Sequence, residues 1–144
     1  MESKPQFGTA TRKLSSKVKP QIYHLPNWES LDDRGKLDVI NEIIEQYGRD
    51  PRVAQKAVEI LKAYGVKPRE YVNQAKALLH WCQQNIYYVN EPKERLQSPY
   101  YTLKSGIGDC DDLVILLCSF FHSLRLPYRL VISGIDNGNM IRYA

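Results

Sequence analysis

The stretch Gly106-Ile107-Gly108-Asp109-Cys110-Asp111-Asp112 decides how this 144-residue chain is read. Two glycines and an aspartate close an irregular segment, and an apolar run, Leu113-Val114-Ile115-Leu116-Leu117, follows almost at once. A helix is therefore expected from Cys110 to about Leu124, with the cysteine in its first turn. With Phe120 and Phe121 added, that helix is apolar nearly all round, which predicts a central, buried position. A cysteine attacks only as thiolate, and the unpaired N–H groups and dipole of a helix start favour the anion. Gly106 and Gly108 permit a close backbone approach, as a substrate carbonyl needs, and the Cys110 N–H is free to serve as one oxyanion donor. Asp109, Asp111 and Asp112 act in the opposite sense, because like charge raises a thiol pKa, although aspartate is also simply favoured at a helix cap. Cys110 is thus the candidate catalytic nucleophile. Cys82 and Cys118 fall at core-facing helix positions and read as packing residues.

Upstream, three amphipathic helices are expected. The first spans about Leu31 to Tyr47, capped by Ser30 with Asp33 completing an approximate capping box, and its stripe is Leu37, Ile40, Ile43, Ile44 and Tyr47. The second has Asp50 as N-cap, Pro51 at its first position and Gly65 beyond its end, with Val53, Ala57, Ile60, Leu61 and Tyr64 buried. The third runs from near Pro68 to about Asn85, burying Val72, Ala75, Leu78, Leu79 and Cys82. Ile86-Tyr87-Tyr88-Val89 is β-prone, and Asn90 to Gly108 reads as a long functional connection. Downstream, a strand is expected from Tyr128 to Ile135, then a turn at Asp136-Asn137-Gly138-Asn139 and a second strand from Met140.

The bulk properties exclude several classes. A net charge of +4 is mild, and much of it sits in Lys4, Arg12, Lys13, Lys17 and Lys19, which face only Glu2. Residues 1–28 read as a basic, flexible arm, anchored through Ile22, Tyr23 and Leu25, ahead of a single domain over 29–144. No helix-turn-helix, zinc pattern or aromatic stacking pattern points to nucleic acid. Three cysteines without paired spacing, and no secretory signal, suit a reduced thiol protein of the cytoplasm. The longest apolar stretch, Leu113 to Phe121, is about half of what a bilayer span needs, so no membrane segment is expected. No metal-ligand set is visible, and no cofactor is implied.

Leu96-Gln97-Ser98-Pro99, Thr102-Leu103, the Gly106–Asp112 cluster, the apolar helix, Pro127 and Arg129-Leu130-Val131 together resemble the transglutaminase-like superfamily, in its short bacterial or prophage form. The lead-in through Trp81 and Tyr88 is similar too, so the likeness spans roughly residues 70 to 135. It implies a papain-like α+β fold: helices packed around the nucleophile-bearing helix, then the start of an antiparallel sheet. It also implies a Cys-His-Asp triad in that order, with Cys110 at the nucleophile position, acting on a peptide or protein amide through a thioester. The second oxyanion donor would come from upstream, from Trp81, Tyr87, Tyr88 or Gln97.

No histidine fits the triad. His24 and His80 precede the cysteine, and His122 lies twelve residues along the same helix, roughly 18 Å at the helical rise. The chain stops at Ala144 with its last strand in progress. The expectation is a domain cut off before its His and Asp strands, inactive as it stands and open to association through that unpaired strand. The alternative is a catalytically silent assembly module of phage type.

Overall fold

The computed structural model describes residues 21–90, 95–136 and 139–143. In chain order the elements are β1 (Ile22–His24), a single 3-10 turn (Trp28–Ser30), α1 (Asp33–Gly48), α2 (Pro51–Ala63), α3 (Tyr71–Asn85), β2 (Tyr87–Tyr88), β3 (Arg95–Gln97), α4 (Pro99–Ser105), β4 (Ile107–Gly108), α5 (Cys110–Ser123), β5 (Ile132–Asp136) and β6 (Asn139–Tyr143). The fold is α+β, as expected. Helices α1 to α4 all pack on α5, whose Ile115, Leu116 and Phe120 are fully buried.

The first two helices form where the periodic stripe and caps demand. Asp50 caps α2 through the Arg52 N–H at 2.8 Å, with Pro51 supplying a ready-made helical φ at the first position. In α1 the cap is Asp32 rather than Ser30, its carboxylate accepting from Gly35 N at 2.7 Å, while the Ser30 hydroxyl turns back to Asn27 O. The expected stripe of α1 is buried throughout. In α2, Tyr64 escapes the core and hydrogen-bonds His80 instead.

Helix α3 corrects the reading on two counts. It starts three residues later than Pro68, because Arg69 adopts a left-handed φ of 76° and Glu70 folds its carboxylate back onto Lys67 N. Its buried face is Gln74, Ala77, Leu78 and Cys82, leaving Val72 and Leu79 67% and 43% exposed. The stripe is narrow because α2 and α5 together cover only one side of the helix.

The supposed long connection is mostly regular structure. Of residues 90–108, 91–94 lie outside the described residues, and the rest hold β3, α4 and β4. Ser98 caps α4 through Tyr101 N, Pro99 takes its first position, and Gly106 ends it in the left-handed region at φ 72°. The strands pair in three short ladders: β1 antiparallel to β3 with Tyr23 opposite Leu96, β2 parallel to β4, and β5 antiparallel to β6. The expected hairpin is present, with Asp136 opposite Asn139; its two central residues lie outside the described residues. Its first strand begins at Ile132, later than Tyr128, while Tyr128 and Leu130 pack against the core without a ladder.

Tyr23, Leu25 and Trp28 are buried in the same core as α1, so the packed body begins before residue 29; residues 1–20 of the basic arm lie outside the described residues. Among the described residues no helix is long and apolar enough to cross a membrane.

Candidate active site

Cys110 is the first residue of α5 and is exposed, whereas Cys82 and Cys118 are buried, their thiols pushed up by desolvation to about 12 and about 11. Two chemically different kinds of cysteine are thereby separated by burial alone. The Cys110 sulfur faces the backbone N–H groups of Cys110 and Asp111, which favour the thiolate. They are outweighed. Partial burial first, and then the carboxylates of Asp111 and Asp109, hold the thiol above its ordinary value. The Asp111 carboxylate stands 3.9 Å from the sulfur, a weak contact, and its own pKa is raised by burial and by Asp109. Lys36 of α1 is the cation that opposes this, lowering Asp111 from across the helix interface while its ammonium lies 5.6 Å from the Trp28 ring.

What positions the cysteine is Asp112. It is fully buried, and its two oxygens accept from Gln97 N at 2.9 Å and Asp109 N at 3.1 Å. Asp109 returns the contact by accepting from Asp112 N, giving a reciprocal capping box built from two aspartates. The Gln97 bond ties the start of α5 to β3, fifteen residues earlier in the chain. Burial pushes Asp112 up to about 7, against the pull of the two N–H donors. Gly108 is required by this packing: a Cβ there would fall 2.9 Å from Asp112 Cβ. Gly106 is a helix terminator. Both glycines therefore have structural work in the loop itself, beyond the substrate approach expected of them.

The four candidates for a second oxyanion donor are separated by the fold. Gln97 is 1% exposed and its amide donates to Thr102 Oγ1 and to Ile107 O, each at 3.0 Å, so it clamps the loop; its own Oε1 is buried without a partner. Trp81 packs edge-on against Phe120, ten residues and roughly 15 Å down α5 from the cysteine. Tyr87 and Tyr88 lie on β2 opposite Ile107 and Gly108, immediately before the nucleophile, and both are exposed. The histidines are engaged elsewhere. His80 Nδ1 is 2.7 Å from the Tyr64 hydroxyl, His122 Nδ1 is 3.2 Å from the Tyr128 hydroxyl, and His24 ends β1 opposite Arg95. Among the described residues no three of His, Cys, Asp or Glu gather as a metal-binding group.

Residue reasoning missed Asp112 and Gln97 as a pair, and missed α4. For α4 a signal existed: Ser98-Pro99 followed by Gly106 is the same start-and-stop pattern that marks α2. For the Asp112–Gln97 bond there was none, since it joins two segments that only the fold brings together.

An exposed thiol stands on the first turn of a buried helix in an α+β fold. The family model of the transglutaminase-like superfamily matches residues 54–140, from the fourth residue of α2 into β6, and the chain belongs to that superfamily, which has a cysteine hydrolase or acyltransferase type of fold. Searches among curated proteins and among solved structures return no match.

Proposed function

We propose that this domain is the nucleophile-bearing core of a cysteine acyl-transfer enzyme acting on peptide or protein amides, with Cys110 as the attacking group. The observation that carries this is the placement of Cys110: exposed, at the first position of α5, its sulfur against two backbone N–H groups and its loop locked by Asp112 and Gln97. The Cys110 sulfur would attack the amide carbon, the C–N bond would break as the amine takes up a proton, and the thioester would pass its acyl group to water or to a second amine. The N–H groups of the first helical turn lack intrahelical acceptors and suit a developing oxyanion. Full turnover needs a base and cation at the sulfur, because Asp109 and Asp111 oppose ionisation and His80 and His122 are occupied by tyrosines.

That same opposition favours a second reading, a catalytically silent assembly module that keeps the fold. One comparison separates the two. Acylation by a p-nitrophenyl ester passes through an oxyanion, whereas alkylation by iodoacetamide does not. Both depend equally on how much thiolate is present. The ratio of the two rates at Cys110, relative to a free-cysteine peptide at the same pH, is expected to rise about tenfold or more if oxyanion donors are in place. A ratio equal to that of the peptide sinks the acyl-transfer reading and leaves the silent module. Cys110→Ala must abolish both labels.

A further inference from the structure

Away from the thiol, α2, α3 and α4 line an open, shallow cavity of about 680 Å³. Its walls are cationic and aromatic. Lys56 places its ammonium 5.1 Å from the centre of the Trp81 ring, and Arg52 its guanidinium 5.2 Å from that of Tyr100. Lys104 adds a third cation from the end of α4, and Asn85 and Gln55 add neutral polar groups. Among the described residues Glu59 is the one acid in the lining, while Arg52 also leans on Asp50 at 3.5 Å. The half-buried Lys56 and the exposed Lys104 are the lining cations without a carboxylate ion pair among the described residues.

The place of this cavity in the fold gives it a use. Asn85 and Ile86 form its rim, and the chain passes from them straight into β2; Lys104 is on the rim, and the chain passes from it through Gly106 into β4. The Tyr87 N–H to Gly106 O bond of 2.7 Å staples these two exits together, and the parallel β2–β4 ladder then leads to Asp109 and Cys110. Lys104 and Cys110 are six residues apart, which sets a limit of about 20 Å on their separation. An extended peptide covers that with at most six residues.

We infer that this cavity is a specificity subsite for acidic side chains, recognising a carboxylate within about six residues of the amide presented to Cys110. Lys56 and Lys104 supply charge-assisted hydrogen bonds to the carboxylate, and Leu103 supplies apolar surface for its stem. As a statement about substrate class it rests on the acyl-transfer reading; as a statement about binding it does not.

The test therefore uses Cys110→Ala chain, which cannot react. Fluorescent peptides carry one glutamine and a pair of glutamates at spacings of three to six residues to either side, and their controls carry glutamine in place of glutamate. Anisotropy is expected to show saturable binding of an acidic peptide, with the neutral control about tenfold or more weaker, as loss of two charge-assisted contacts implies. Lys56→Gln combined with Lys104→Gln should abolish that preference while leaving the far-UV spectrum and the melting transition in place. Glu59→Gln, at an exposed position, should tighten binding of the acidic peptide. Equal binding of acidic and neutral peptides overturns the inference, as does a preference that survives the double substitution. Tighter binding of oligothymidylate through the same two lysines overturns it in favour of a nucleic-acid site. Failure of this assay with the acylation ratio intact removes the subsite alone; the reverse pattern removes the chemistry and keeps the site.

Discussion

At the scale of single residues, Cys110 is the proposed nucleophile, and its thiol is held back by its neighbours. Asp111 and Asp109 follow burial as the influences raising its thiol, and the helix start does not overcome them. The sign of an experiment follows directly. A thiol held above its ordinary value carries less thiolate at neutral pH, so iodoacetamide is expected to label Cys110 more slowly than it labels a free-cysteine peptide. Asp111→Asn removes one of the two carboxylates and should speed labelling at neutral pH, with the mid-point of the rate-against-pH curve moving down. An unchanged curve would show that the carboxylates do not govern the thiol. Lys36, which draws Asp111 downward from α1, marks where an additional cation would act.

The element that matters most is the start of α5, because it is held from outside the helix. Asp112 satisfies the N–H of Asp109 within its own turn and the N–H of Gln97 on β3. Replacing it by Ala strands one buried and one partly buried donor, and a loss of about 2–5 kcal/mol in urea unfolding is expected from two such groups. The pH dependence has a definite sign. The folded value of Asp112 is raised to about 7 from the ordinary 3.8, so the folded state binds this proton more tightly than the unfolded state. Its contribution to stability is complete below 3.8 and is lost as pH rises through about 7. Urea mid-points measured across that window should fall with rising pH more steeply in the parent chain than in Asp112→Asn. The steepness remaining unaltered in Asp112→Asn would assign it to other groups. Gly108, pressed against Asp112, is the reason this corner admits no side chain.

At the scale of the molecule, α5 is the axle on which α1 to α4 are mounted. Phe120 is fully buried where Trp81 of α3 meets it edge-on, and a Cβ on Gly48 of α1 would fall 2.7 Å from His122 Cβ, so the far end of α5 is interlocked with α1. Phe120→Ala is expected to cost about 3–5 kcal/mol. Because α1 to α4 all pack on this helix, the loss should appear as one cooperative transition by both circular dichroism and the emission of a Trp28→Phe background, in which Trp81 is the single fluorophore. Separate transitions would mean that α3 and α5 unfold independently.

The central helix with Cys110 at its start and the first two helices were legible in the residues, because caps and a 3.6-residue apolar period act locally and need no partner. So was the transglutaminase-like character, matched over residues 54–140. Strands of two or three residues such as β1, β3 and β4 carry no period to read, and even the β-prone Tyr87–Tyr88 pair of β2 is a strand only because ladders such as Tyr23–Leu96 and Tyr88–Gly108 close between distant segments. The balance at Cys110 was open for the same reason: helix dipole and flanking carboxylates pull in opposite directions along the chain, and burial, a property of the packed molecule alone, tips it. Local chemistry marked Cys110 as the candidate nucleophile; tertiary packing decided how it is held, and how far its thiol is held back.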